Sequence, residues 1–354
     1  MQNIKMISIE ESDIWDDTVR SFKNHDIYYF SGYVKAFMLH GDGNPCLFYY
    51  NNGRLKGINV VMLRELWACS ELCDVLKPRE CYDIATPYGY GGFLLEGNTS
   101  EEEIRLLDKE YIRLCREKKI VSEFVRFHPI LENHKKLDQM YDILDKGKTI
   151  GLALDSESLI WDNIESKKRN RIRKARTNGI QVYWGLSEKL MGYFMEMYNK
   201  TMDKDNADPY YYFKKEFYDS ILNDCRYNSL MFYSVYQDKI VAMSIVLFVN
   251  KKMHCHLMTS LREYQDLEPV SLMVHEMAVW GCRNGMKTLH MGGGLGGGED
   301  SLYRFKSSFN RNSNYTFYIG KKIFDQECYQ RCMDIRTCNG QRELKTSFFP
   351  EYRG

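Results

Sequence analysis

The chain has 354 residues, enough for two domains of ordinary size, and its 44% hydrophobic and 14% aromatic content is ample for buried cores. A net charge of +1 argues against binding nucleic acid through a broadly basic surface. The first residues lack a basic segment followed by an apolar one, and the longest apolar run, near Ile240 to Val249, is far shorter than a bilayer requires. The eleven cysteines are odd in number, contain no C-x2-C pair, and show spacings (Cys69/Cys73, Cys328/Cys332) unlike those of zinc sites. A cytoplasmic protein with reduced thiols and no metal is the expectation.

In the first half, a helix is predicted over Ser31 to His40. The segment LFYYNNGRLKGINVVML then reads as two strands around Asn-Gly, a strong hairpin signal. ECYDIATPYGYGGFLLEG is an extended run followed by a Pro/Gly/Tyr loop. Ser100 suits the cap of a helix reaching about Lys118, with Glu101 to Glu103 at its positive end. EFVRFHP and GKTIGLALD read as strands.

The second half repeats this order without a sequence repeat. SLIWDNIESKKRNRIRKARTNG reads as one helix closing at Gly179. IQVYWG is a strand, Ser187 caps a helix through about Met202, and PYYYFKKEFYDSILNDC is a further helix. Three antiparallel strands follow, with turns at Gln237–Asp238 and Asn250–Lys251. Pro269 opens a helix that ends at Gly285, KTLHM is a strand, and NYTFYIGKKIF is the last strand. The fold class is therefore α/β, with two domains, 1–150 and 151–354, each a mixed, mainly antiparallel sheet flanked by helices.

After KTLHM come six glycines in seven positions, 292–298, and then the amphipathic segment SLYRFKSSF. Glycines at a strand's carboxyl end, opening into a helix, can hold a polar group on backbone N–H donors. The spacing is not that of a nucleotide loop: GxxxxGK[ST] is absent.

The order and spacing of the basic R-x-R-K-A helix (Arg169 to Gly179), the helix ending Val279 to Gly285, L-H-x-G-G-G (Leu289 to Gly294) and F-K-x-x-F within Tyr303 to Phe309 resemble the GNAT-fold domain of the Fem-type peptidoglycan aminoacyl transferases and their acyltransferase relatives. The loop TPYGYGGFLLEG looks like its counterpart in that family's first GNAT-like domain. The resemblance implies twin GNAT-like domains and transfer of an acyl or aminoacyl group to an amine. Acceptors among such proteins are often cell-envelope precursors or amino sugars.

Under that reading Lys306 is the leading catalytic candidate, placed at a helix start behind the glycines to meet an oxyanion. Tyr303 is the candidate acid for the leaving group, with His256 as a base and Glu268 to orient an amine. Gly292, Gly293, Gly294, Arg304 and Arg262 are candidate donor-binding residues. Seven positive charges within residues 167–176, Arg169 and Arg173 among them, suit phosphate. Trp161, Ile164, Ile172 and Ala175 form that segment's buried stripe. Tyr88 and Tyr90, with Asp83 nearby, suit a sugar or peptide. His254 and His256 alternate on one strand face without a carboxylate to complete a metal set.

GNAT acetyltransferases carry (R/Q)-x-x-G-x-(G/A) before the helix that takes the CoA pyrophosphate. Here that place reads LREYQDLEPVS, without glycine and with Pro269 removing a donor. The donor is expected to be acyl-CoA (acetyl-CoA), with aminoacyl-tRNA as the alternative. The expected partners are a small-molecule or cell-wall precursor acceptor, tRNA under the alternative, and a membrane surface through lipid-linked precursors. A non-catalytic sugar- or nucleotide-binding protein is the remaining reading.

Overall fold

The chain begins with strand β1 (Ile4–Ser8) and two helices, α1 (Ser12–Arg20) and α2 (Ser31–His40), in the computed structural model, which describes residues 3–70, 72–204, 206–338 and 348–354. Strands β2 (Asn44–Asn51) and β3 (Leu55–Glu65) form the hairpin predicted around Asn-Gly. Gly53 sits at φ +85° and Asn52 Oδ1 accepts the N–H groups of Arg54 and Leu55 at 2.9 and 2.8 Å. Then follow β4 (Tyr82–Ala85), β5 (Leu94–Gly97), α3 (Glu101–Glu117), β6 (Ile120–Arg126) and β7 (Asp142–Ala153). Ser100 Oγ accepts the N–H of Glu103, capping α3 as its sequence predicts.

Helices α4 (Glu157–Asn163) and α5 (Ser166–Thr177) replace the single helix predicted there. Ile164 and Glu165 are extended (ψ 135° and 144°), which turns the chain and buries Ile164, and the N–H of Glu165 goes to Ser308 O. Strand β8 (Gln181–Gly185) and helix α6 (Glu188–Lys204) come next. The predicted helix from Pro209 is a 3-10 turn, Pro209–Tyr211, and a shorter α7 (Lys215–Asn223). Asp208 caps the proline turn, and the chain stays extended while Phe213 enters the core.

Strands β9 (Ser229–Tyr236), β10 (Lys239–Val249) and β11 (Lys252–Ser260) are antiparallel. Their turns have both central residues at positive φ (47° and 61°, then 47° and 63°), the conformation that matches strand twist in two-residue hairpins. Helix α8 (Pro269–Arg283), strand β12 (Thr288–Gly293), helix α9 (Ser301–Ser307), strand β13 (Tyr315–Ile323) and helix α10 (Gln326–Cys338) complete the order.

The chain divides into two compact units, one of residues 1–145 with 317–354 and one of 146–316, where the sequence places a single boundary at 150. Both are α/β. In the first, β1, β2, β3 and β4 are successively antiparallel. Helix α3 crosses to β6, which lies parallel to β4, and β13 closes beside β6. Phe48, Phe93, Tyr111 and Phe127 centre its core. In the second, β8 to β11 are successively antiparallel, α8 crosses to β12 parallel to β11, and β7 closes beside β12. Met253, Leu272, Met277 and Phe309 lie in its core. Each unit is thus a mixed, mainly antiparallel sheet with flanking helices. Both use the same strand–two helices–three strands–helix–strand order, the GNAT-like arrangement. The final strand of each comes from a segment remote in sequence, so chain order alone misplaces 317–354.

Candidate active site

In the second unit β11 and β12 are hydrogen-bonded only over Lys252–His254 and Thr288–His290, and then part. Both strands are irregular at that point. Ile245 pairs with Leu257 and Val246 with Cys255, so His256 is an extra residue bulged out of β11; on β12 the pairing with β7 skips Met291. The divergence opens the sheet between Cys255 and the glycines that end β12.

The glycine run is shaped by what it packs on. Gly292 has φ +72°. A Cβ on Gly294 would run into Gly298 O and lie 2.5 Å from Asp300 Oδ1. Asp300 caps α9: its Oδ1 accepts the N–H of Tyr303 at 2.8 Å and its Oδ2 that of Leu295 at 2.9 Å, bonds that hold its carboxyl below the usual range.

Lys306 lies in the last turn of α9 rather than at a helix start, because the glycine run ends in a 3-10 turn and the helix begins only at Ser301. Its ammonium donates to Gly293 O at 2.6 Å. Burial lowers its pKa, opposed by Cys255 and Asp300. The ammonium therefore sits at the parting strands, bonded to β12 and within electrostatic reach of Cys255 on β11. Tyr303, one helical turn earlier, is half-buried against the core, and burial raises its pKa. Arg304 is exposed and its Nε turns back to Asp300 O at 3.3 Å.

The other candidates divide among separate places. His256 is half-buried with its ring over Phe217, centroids 6.4 Å apart; desolvation, then His254, push it down to about 3, so it stays neutral at ordinary pH. His254 stands beside His290, its register partner, at 5.9 Å. Arg262 lines a cleft of about 590 Å³ with Lys200, Lys204, Lys239 and Glu263. Tyr88 and Tyr90 belong to the first unit. Tyr88 stacks on Phe37 at 5.4 Å, and Tyr90 packs edge-on to Tyr28 at 5.7 Å. Asp83 is fully buried there; burial would raise its pKa, but Arg64 and Arg353 override that and lower it.

Glu268 precedes Pro269 at the start of α8 in left-handed backbone (φ 61°), and its side chain makes no capping bond to the helix N–H groups. It accepts from Ser271 Oγ at 2.7 Å and faces Arg171 at 3.5 Å. Its carboxylate therefore lies against the first turn of α8, on the Ser271 side chain. Four of the seven cations of 167–176 have partners in the unit. Besides Arg171, Arg173 lies over Trp161 at 5.1 Å, Arg176 meets Glu276 at 2.7 Å, and Lys168 is buried. Arg169 is half-buried.

Lys168 is not on a solvated flank. It is 3% exposed, with its ammonium 3.3 Å from Ser271 Oγ and over the rings of Phe305 (4.1 Å) and Phe309 (4.7 Å). Burial, partly offset by Glu268, pushes it down to about 8. On α5 it stands four residues before Ile172 and seven before Ala175, on the helix's buried face, and that spacing is the signal that locates it.

A family model for the acetyltransferase (GNAT) domain matches residues 165–307. Among solved structures the chain resembles FemX, at 14% identity over 93% of this chain and 99% of that one, with a TM-score of 0.67. It also resembles a conserved protein of unknown function from Bacteroides thetaiotaomicron (13%, 91% and 100%, TM-score 0.58). A third match is the C-terminal domain of a candidate lysylphosphatidylglycerol synthetase from Agrobacterium fabrum (13%, 94% and 94%, TM-score 0.54). No curated protein matches the sequence. At these identities the structural likenesses establish the fold.

Proposed function

We infer, from a chain that carries a GNAT acetyltransferase domain on the fold of FemX, that this acyltransferase makes an amide, taking the acyl group from acyl-CoA to an amine of an amino sugar or of a cell-envelope precursor peptide. One observation carries the reading: the Lys306 ammonium, half-buried and fixed on Gly293 O where β11 and β12 part. A thioester or ester carbonyl held between the strands would develop its negative charge beside this half-buried cation. Tyr303, on the same short helix and with its phenol kept protonated, suits delivery of a proton to the leaving group. His256, neutral, suits packing or hydrogen bonding better than taking a proton from an ammonium.

Aminoacyl-tRNA as donor is favoured by a separate feature: Glu268 places negative charge at the α8 start, where CoA would bring its pyrophosphate. The cleft lined by Lys200, Lys204, Lys239 and Arg262, together with Glu196, Asp238 and Glu263, is a second place where phosphate of either donor could be met, by Lys204 and Arg262 in particular. Among the described residues no helix is long and apolar enough to cross a membrane.

Calorimetry with acetyl-CoA and with charged tRNA separates the donors, and thiol release from acetyl-CoA with a panel of amino sugars and muropeptides reads turnover. Lys306→Met should lower kcat by on the order of a hundredfold or more with little change in KM. Unchanged turnover in that variant would remove the mechanism.

A further inference from the structure

Three cysteines far apart in sequence converge in the first unit: the sulfurs of Cys81, Cys328 and Cys332 all lie within 4.8 Å of one another. Cys328 and Cys332 are one helical turn apart on α10 and so share a face, a spacing that a search for C-x2-C pairs passes over. Cys81 immediately precedes β4, and its carbonyl accepts the N–H of Leu66 at 3.1 Å, which fixes the loop that carries it. Cys81 and Cys332 are buried among Leu66, Leu72, Val121, Tyr329 and Tyr352, while Cys328 is half-buried, so the triangle has two walls and one open side.

We propose that Cys81, Cys328 and Cys332 bind a zinc ion through three thiolates, with water in the fourth position, joining α10 to the start of β4. Tetrahedral zinc with bonds of about 2.3 Å separates its sulfurs by about 3.8 Å, so a contraction of at most about 1 Å closes the site. A disulfide would use two of the sulfurs and leave the third without a purpose; a thiophilic metal uses all three. The adjacent carboxylate does not compete for the fourth position. Glu80 Oε1 takes Arg331 at 2.7 Å and Oε2 takes the N–H of Lys77 at 2.8 Å. That same ion pair ties α10 to the Cys81 loop and holds the helix in register for its two ligands. Binding releases the thiol protons to solvent, so uptake rises with pH.

The test uses the full chain, reduced and freed of metal, titrated with Co2+ and then Zn2+. The expected result is one equivalent of Co2+ with an intense thiolate-to-cobalt charge-transfer band and the visible bands of tetrahedral cobalt, displaced by one equivalent of Zn2+. Cys328→Ser and Cys81→Ser should each abolish the charge-transfer band, whereas Cys282→Ser, in the other unit, should leave it intact. Should the cysteine variants fail to fold, limited proteolysis of the wild-type chain with and without Zn2+ reads the same contact, since zinc should protect α10 and a chelator should reverse that. The proposal is overturned by a reduced wild-type chain that shows no charge-transfer band, by a band that survives Cys328→Ser, or by equal proteolysis of α10 in both conditions.

Discussion

Replacing Lys168 by Met tests what a buried cation does in this molecule. The side chain keeps its length and loses its charge. In the folded chain the group titrates at about 8 instead of 10.5, with burial as the largest cause and Glu268 opposing it. At 1.36 kcal/mol for each unit, holding the charged form folded is unfavourable by roughly 3 kcal/mol. The rings of Phe305 and Phe309 return part of this, about 0.5–1 kcal/mol each. Lys168→Met should therefore be more stable than the wild type at pH 7 by roughly 1–2 kcal/mol. The sign of the pH dependence follows from proton counts. Between pH 8 and 10.5 the unfolded chain keeps the lysine proton and the folded chain has released it, so wild-type stability rises across that window. The advantage of the variant should shrink accordingly. Urea unfolding of both proteins at pH 7, 8, 9 and 10 measures the difference free of the other lysines and tyrosines, which both chains share. A gap that stays constant from pH 7 to 10 would refute the reasoning, as would a variant less stable than the wild type at pH 7.

Gly294→Ala, whose Cβ would meet Gly298 O and Asp300, should displace the loop and depress both the melting temperature and acyl transfer. Asp300→Ala removes the cap shared by Tyr303 and Leu295 and should destabilise by about 1 kcal/mol, with faster amide exchange at those two residues. Glu123→Gln addresses the first unit. Burial pushes this carboxyl up to about 7 despite hydrogen bonds from Asn59 and Tyr141. The folded state then holds a proton that the unfolded state has lost between pH 4.5 and 7, so wild-type stability falls by roughly 3 kcal/mol as pH rises through that window. The variant should lose most of that slope in urea midpoints measured from pH 5 to 8.

Local chemistry was legible and remote pairing was not. Asn52–Gly53, Gln237–Asp238 and Asn250–Lys251 each contain a Gly, Asp or Asn, the residues that most readily take positive φ, between alternating strands, and each forms the turn it predicts. Ser100 caps a helix because the reach of its hydroxyl to Glu103 N is set within three residues. The parting of β11 from β12 depends on a pairing between residues 36 apart together with a bulge at His256, and no local pattern encodes either. Strand β13 alternates identically whichever sheet it joins, so its place beside β6 could not be read from its residues. Lys168 was misplaced for a different reason: in a segment so rich in charge, composition masked the apolar stripe on which it lies.

Helix α9 has seven residues, too few to be stable alone, so its position must come from its contacts. Asp300 holds its start, and Phe309 just beyond its end is fully buried in the core. Lys306 ties its last turn to Gly293, while Lys168 sits against the rings of Phe305 and Phe309. The two lysines thus fix the helix through different contacts, and only Lys306 is placed at the parted strands. A buried ammonium is weak evidence for stability, and here the balance is unfavourable. Its presence is better accounted for by what it positions: it holds the rings of Phe305 and Phe309, which flank Lys306 in sequence, and under the proposed mechanism an oxyanion would need the Lys306 ammonium in place before charge develops. On this argument Lys168→Met gives a more stable protein with a lower kcat, and a variant that gained stability without losing turnover would separate the two lysines.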